Sequence, residues 1–324
     1  MLKRHFIAVC VAATATLVAG VSPARAQSDW PQKPIRLIVP YPAGGPVDSL
    51  ARAIGPALGE ALGQPIVIEN KAGASGTIGM ASAMKAEPDG YTFGFGVPGA
   101  ITVLPHLQKL PYSVDDIQYV SLVARVPQVI ASSPKAKIGT LQELISMAKQ
   151  QPGKINYGSA GNATTPHLGA ELLAQEAGIK MTHIPYKGAA PVLNGLLTGE
   201  IDIAALDLSA VLPFVSQGVK ILAVSAPNRV SALPNVQTTT ELGLPKVQSE
   251  SNYGIIAATG TPPAIVQKFR DALVKVLNSK EVSDRIAAQG AIAASSTPEE
   301  YKKLMQADST KWGTVLKKGN ITLD

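Results

Sequence analysis

The stretch Pro40-Tyr41-Pro42-Ala43-Gly44-Gly45-Pro46-Val47-Asp48 constrains this chain more than any other. It follows an apolar strand, Ile35 to Val39, and opens a helix running towards Leu62 that carries Leu50, Ile54, Ala57, Leu58 and Leu62 on one face. The two glycines add no side-chain bulk, and Pro46 suits a first helical turn. The free N–H groups of the helix therefore point back at a turn whose backbone is open to approach, a geometry that favours an anion.

A second turn of the same kind occurs at Gly158-Ser159-Ala160-Gly161-Asn162-Ala163-Thr164-Thr165-Pro166-His167, again between a short strand and a helix. Ser159, Asn162, Thr164 and Thr165 bring hydroxyl and amide groups to a helix start, as a carboxylate oxygen requires, although one of them is needed to cap the helix. The two turns are expected to face each other across a cleft and to hold a small carboxylate.

Strand–helix alternation continues through Pro65 to Asn70, the segment beginning at Lys71, and Tyr91 to Gly96, which predicts a parallel sheet covered on both faces. Ile117 to Val126 and Gln128 to Ala131 read as two extended segments broken at Pro127. A second alternating series follows, with strands at 155–157, 181–184, 201–206 and 219–225 and helices at 166–176, 189–197 and 209–216. Ser251 to Ala258 reads as a return strand, and the remainder is helical, its last helix opening on Thr297-Pro298-Glu299-Glu300 with a cap, a proline and acids in the first turn. These last helices have no sheet of their own and must pack back on the first domain. The chain is thus expected to be an α/β protein of two lobes, each a mainly parallel sheet flanked by helices, with residues 27–123 plus 249–324 in lobe I and 124–248 in lobe II. Two crossing segments join them, in the manner of a type II periplasmic binding protein.

Residues 1–26 carry Lys3 and Arg4, an apolar run from Phe6 to Val21, and Ala24-Arg25-Ala26, the layout of an export signal cleaved after Ala26. The only cysteine, Cys10, falls inside that run, which excludes disulfides and thiolate chemistry from the mature chain. Removing the signal leaves 26 basic against 23 acidic residues of the 29 and 23 in the whole chain, so the balance is close to even. With no Lys/Arg run interleaved with aromatics and only 5% aromatic content, nucleic-acid binding has no support. Beyond the signal no apolar stretch approaches the roughly 20 residues of a spanning helix.

Catalytic and metal chemistry find little to build on. The mature histidines His106, His167 and His183 form no H-E-x-x-H pattern and no metal-ligand spacing, so neither a metal nor a cofactor is expected. Gly94-Phe95-Gly96-Val97-Pro98-Gly99 matches the dinucleotide fingerprint letter for letter, but Pro98 lies in the turn and no acid ends a following strand, so a structural or cleft-edge loop is expected instead. Gly158-Ser159-Ala160-Gly161 departs from G-x-S-x-G because its glycine adjoins the serine. A secreted hydrolase using Ser159 and His167 is the alternative to be weighed, and a sensor lobe that presents bound carboxylate to a signalling partner is another. Asp207, where the strand at 201–206 meets a helix, reads either as an N-cap or as an acceptor for a ligand hydroxyl or ammonium.

An ordered set of motifs then resembles one known family. Trp30-Pro31, Lys33-Pro34-Ile35, Val39 through Gly45 with Asp48 and Ala51-Arg52, Leu62-Gly63-Gln64-Pro65, and Glu69-Asn70-Lys71-Ala72-Gly73-Ala74-Ser75-Gly76 come first. Pro88-Asp89-Gly90-Tyr91-Thr92, Pro166-His167-Leu168 and Ile184-Pro185-Tyr186-Lys187-Gly188 complete the series. The chain resembles substrate-binding proteins of tripartite tricarboxylate transporters, of the Bug (Bordetella uptake gene) type. The resemblance implies a periplasmic monomer with no enzymatic activity that closes on an organic carboxylate and passes it to a two-component integral membrane transporter. It also implies a ligand site made by Tyr41, Pro42, Ala43, Gly44, Gly45, Pro46 and Asp48 in the first lobe, and by Ser159, Ala160, Gly161, Asn162, Thr164 and His167 in the second. Asp207 joins them, although the family often has an Asp-Asn pair after Phe where this chain has Leu206-Asp207-Leu208.

Overall fold

A computed structural model describes residues 30–323. The expected export signal, with Cys10 and the cleavage after Ala26, lies outside the described residues. In the first part of the chain, strand β1 (Ile35–Val39), helix α1 (Pro46–Leu62), β2 (Ile66–Asn70), α2 (Thr77–Met84) and β3 (Thr92–Gly96) form the expected series, with β1 hydrogen-bonded in parallel to both β2 and β3. Next to β3 lies β9 (Glu250–Ala257), antiparallel, and next to β9 lies β4 (Gln118–Ser132).

Strand β4 runs unbroken through Pro127, where the sequence reading placed an interruption. Alternation in an antiparallel ladder explains why the proline is tolerated. The Gln128 N–H bonds to the Ser249 carbonyl, so the missing N–H of Pro127 faces the other side. There the short strand β10 (Ile292–Ala293) has stopped at Ala124–Arg125 and the next partner begins only at Gln128.

That position is where β4 changes company. From Gln118 to Pro127 it pairs with β9, and from Gln128 to Ser132 with β7 (Ile203–Asp207) and β8 (Lys220–Val224). Beyond β7 come β5 (Asn156–Ser159) and β6 (Thr182–Pro185), both parallel to their neighbours, linked by helices α4 (Thr165–Ala177) and α5 (Ala189–Thr198). Helix α3 (Leu141–Gln150) precedes β5 and is capped by the Thr140 side chain. The helix expected over 209–216 is instead one α-turn, α6 (Leu208–Val211), followed by a 3₁₀ segment from Leu212 to Gln217, because Pro213 interrupts the ladder one turn in.

The core follows the strand period. Along β4, Val129 and Ala131 enter a cluster with Leu206 and Val192, whereas Ile130 points to the other face among Leu144, Tyr157 and Ile203. The first sheet has one core, in which Phe93 stacks on Phe269 with ring centroids 3.8 Å apart. Phe269 belongs to helix α7 (Pro263–Leu277), which is followed by α8 (Lys280–Ala288) and α9 (Pro298–Gly319). Trp312 and Tyr301 of α9 are fully buried in that same core, so the C-terminal helices return to the first sheet; burying side chains of that size contributes about 1.5–3 kcal/mol each. A complete capping box between Thr297 and Glu300 fixes the start of α9.

Candidate functional site

Three strand-to-helix turns converge on one cavity. The first, between β1 and α1, is closed from behind by Asp48, whose carboxylate accepts the Gly44 N–H at 2.9 Å, the Arg52 guanidinium at 2.9 and 3.1 Å, and the Asn70 amide at 3.0 Å. Asn70 also donates to the Tyr41 carbonyl, so the turn is tied at both ends. Burial pushes the Asp48 carboxyl up, but these donors outweigh it and hold its pKa below the ordinary carboxylate value. Gly44 takes φ +82°, a conformation that glycine adopts without strain.

In the second turn, between β5 and α4, Gly161 has φ +142° and Ala163 has φ +57°, left-handed for a residue with a Cβ. The Thr164 hydroxyl donates to the Gly161 carbonyl at 2.8 Å and does not cap the helix. The Ala163 N–H is met by Nδ1 of His167 at 3.2 Å. His167 stacks on His183, and Nε2 of His183 lies 2.7 Å from the Ser159 hydroxyl, which also reaches the Gly161 carbonyl. His183 in turn stacks on Tyr157, whose hydroxyl donates to Glu171. Burial pushes His167 down to about 3, with His183 adding to the shift, and burial pushes His183 down to about 4, so both rings are neutral at pH 7.

The third turn, Tyr186-Lys187-Gly188 between β6 and α5, belongs to no expected site residue. Gly188 has φ +102° and precedes the helix, and its N–H bonds to the Ala160 carbonyl at 3.1 Å, which locks this turn to the second. Sequence could have flagged it as one more short strand running into a glycine and a helix.

The cavity encloses about 760 Å³ of space including its mouth. Tyr41, Pro42, Ala43, Gly45 and Pro46 line it from the first turn, Ala160 and Thr164 from the second, and Asp207 from the end of β7. Of the other expected site residues, Gly44 lines an adjoining cavity, as do Gly161 and Asn162 on the other side. Asp48, Ser159 and His167 are buried behind the turns and support them. Thr165, grouped from the sequence with the polar residues of the second turn, also lines the cavity, and Pro166, Lys187, Ala189, Ala190 and Tyr253 do so without having been expected. Tyr253 comes from β9, across the crossing, and no local signal announces it.

At Asp207 the capping reading is corrected. Its backbone occupies the N-cap position of α6, but its side chain makes no capping bond. Instead it accepts the Ser251 hydroxyl at 2.7 Å and the Tyr253 hydroxyl at 2.5 Å. Burial raises the Asp207 pKa to about 6 against the lowering effect of Tyr253, Ser251 and Gln128. Burial, with Asp207 close by, also pushes the Tyr41 hydroxyl upward, so it stays protonated and can donate.

Helix geometry leaves the first N–H groups of α1, α4 and α5 without intrahelical partners, and all three helix starts border the cavity. An anion there meets positive helix ends from three directions with no buried cation. Among the described residues no three His, Cys, Asp or Glu side chains gather as a metal site requires. The hydrolase alternative fails on geometry: Ser159 contacts His183 instead of His167 and is fully buried outside the cavity. The fingerprint glycines are packing residues. A Cβ on Gly94 would meet Ala83 at 2.5 Å, one on Gly96 the Tyr301 hydroxyl at 2.6 Å, and one on Gly99 the Ala163 carbonyl at 2.9 Å, so Gly99 lets the two loops touch.

The sequence matches the model of the tripartite tricarboxylate transporter family receptors, TctC, over residues 50–321. Among solved structures it is similar to R. palustris Rpa4515 with adipate, at 32% identity and a TM-score of 0.87 over 90% of this chain and 99% of that one. The periplasmic binding protein BugD is 30% identical with a TM-score of 0.83, covering 90% of this chain and 99% of the other. MatC (Rpa3494) from Rhodopseudomonas palustris with bound malate is 30% identical with a TM-score of 0.81, covering 88% and 99%.

Proposed function

This chain is a periplasmic solute-binding protein of the tripartite tricarboxylate transporter receptor family, and we propose that it captures a small organic carboxylate in the cavity among α1, α4 and α5. From there it delivers the ligand to a two-component integral membrane transporter. The observation that carries this reading is the convergence of three helix N-termini, from both sheets, on one enclosed space. Such donors bind a carboxylate by its charge and leave the remaining wall to read the rest of the molecule. The adipate and malate of two similar structures support a dicarboxylate; tricarboxylates, acidic amino acids and aromatic carboxylates complete the class to be tested.

The protein acts as a monomer after cleavage behind Ala26. Its two lobes, 27–123 with 249–324 and 124–248, close on the ligand about the two strands that cross between them. The change of pairing partners at Pro127–Gln128 and at the start of β9 supports hinges there, a few residues beyond the first boundary.

The test is a thermal-shift and calorimetry screen of residues 27–324 against mono-, di- and tricarboxylates, acidic amino acids and aromatic acids. A ligand at 100 times its Kd adds about 2.7 kcal/mol of stability. A response confined to one carboxylate class is the expected result. A folded, ligand-free protein that answers to none of them refutes the assignment.

A further inference from the structure

The cavity does not end at the three helix starts. On one side it adjoins a space bounded by Leu193, Leu212 and Phe214, and on the other a space bounded by the turn Ala72–Gly76 and by Gly161 and Asn162. The second of these shares Tyr41, Pro42, Ala160, Lys187 and Gly188 with the central cavity, so those residues form a threshold between two compartments of one cleft. Across the outer compartment the lobes touch, Ser75 donating its hydroxyl to the Asn162 carbonyl at 3.0 Å.

Charge is distributed unevenly along this path. In the central cavity and the two spaces beside it, only two lining residues are charged: Asp207, buried at the floor, and Lys187, exposed at the threshold. Lys71, which precedes the Ala72–Gly76 turn, is occupied by Glu69 at 3.1 Å and Ser82 at 2.9 Å. Among the described residues Lys187 has no ion-pair or side-chain hydrogen-bond partner, and its distance from Asp207 exceeds ion-pair reach. It is a cation held at the edge of an anion site with nothing to neutralise it.

We propose that Lys187 is a second anion subsite: with one carboxylate of the ligand among the helix starts, Lys187 receives a second carboxylate projecting towards the Ala72–Gly76 compartment, which makes the protein selective for diacids over monoacids. The inference rests on the carboxylate reading above and adds to it the residue that counts a ligand's charges. The first subsite needs no cation, since its donors are backbone groups, so a monoacid satisfies it completely. A lysine at the threshold contributes only when a second negative group arrives, and its mobile ammonium tolerates chains of differing length better than a planar guanidinium clamp. The opposite opening, walled by Leu193, Leu212 and Phe214, holds no charged side chain.

The experiment is calorimetry with succinate, glutarate and adipate, each beside its monoamide, on the wild type and on Lys187→Gln and Lys187→Arg. Each monoamide keeps the length of its diacid and replaces one carboxylate by a neutral amide, which removes one charge and exchanges an acceptor oxygen for an N–H donor. Expected in the wild type is at least tenfold tighter binding of the best diacid than of its monoamide. Lys187→Gln should abolish that ratio by weakening the diacid about tenfold while leaving the monoamide unchanged, and Lys187→Arg should keep most of it. Equal affinities for diacid and monoamide in the wild type overturn the inference and leave the carboxylate assignment standing. So does a Lys187→Gln protein that weakens both ligands alike, or neither, with an unchanged melting temperature. A wild type that binds these acids in no form, and no other acid in the wider screen, removes both readings together.

Discussion

His167 and His183 lie face to face beneath the second turn, ring centroids 3.9 Å apart and planes 8° from parallel. One ring accepts the Ala163 N–H and the other meets Ser159, so the pair supports the turn at both ends. Ala163 holds an unfavourable left-handed conformation, and its buried N–H has its acceptor in His167. Removing that acceptor in His167→Leu is expected to cost about 1–3 kcal/mol and to weaken ligand binding. His167→Asn, whose amide oxygen can take the place of Nδ1, should retain most of both. Denaturant unfolding and calorimetry on the two variants check this; indistinguishable losses would mean that the ring acts by volume alone.

The same pair sets a pH dependence. Both folded-state pKa values lie below the ordinary histidine value, at about 3 and about 4, so the unfolded chain binds protons that the folded chain refuses. Their contribution is complete above about pH 6.5 and is lost as pH falls towards those values, with a slope of up to about 1.4 kcal/mol per pH unit for each ring. Asp207 acts with the opposite sign. Its pKa is raised to about 6, so it favours the folded state at low pH and loses that contribution as pH rises through 6. Between pH 4 and 6 it offsets part of the histidine effect. Urea unfolding at pH 7, 6 and 5 should therefore show stability falling with acidification, more steeply in Asp207→Asn and less steeply in His183→Gln. A flatter profile in Asp207→Asn would contradict the buried, ionisable state of that carboxyl.

The parts of this molecule that could be read from sequence are those built from neighbours along the chain. The strand, glycine turn and helix at 35–62, and the Thr297–Glu300 box, carry their whole signal within a few residues. What escaped depends on distant partners. Ser159 finds His183 on the neighbouring strand 24 positions on, instead of His167, and Asp207 finds Tyr253 46 positions on. The strand and helix on either side of the turn with Lys187 and Gly188 were legible at 181–184 and 189–197, but that this turn reaches the cavity depends on its bond to the Ala160 carbonyl, which nothing local announces. Pro127 was misread because its tolerance depends on where two other strands stop and start.

Gly45 tests the first turn directly. Its φ of −84° is ordinary, and a Cβ there would lie 3.5 Å from the Pro42 carbonyl, a normal contact. Gly45→Asp should therefore fold with little change in melting temperature while placing a carboxylate at the start of α1. Repulsion and competition for the helix N–H groups are expected to weaken carboxylate binding at least tenfold. Retained affinity in a folded Gly45→Asp protein would reduce this turn to a connection between strand and helix.

Asp207 gives the last test, because it separates the charge of a ligand from its other groups. Asp207 lines the cavity, its carboxylate accepts Ser251 and Tyr253, and with a pKa raised to about 6 it is ionised at pH 7.5. An ionised acceptor stabilises a ligand hydroxyl or ammonium and repels a bare second carboxylate placed against it. Malate is therefore expected to bind more tightly than succinate, which differs only in lacking the hydroxyl, by the several-fold typical of a charge-assisted hydrogen bond. In Asp207→Asn the acceptor loses its charge, and the two affinities should draw together. Calorimetry at pH 7.5 decides it: equal affinities in the wild type would confine Asp207 to joining β7 and β9 through its two hydroxyl partners.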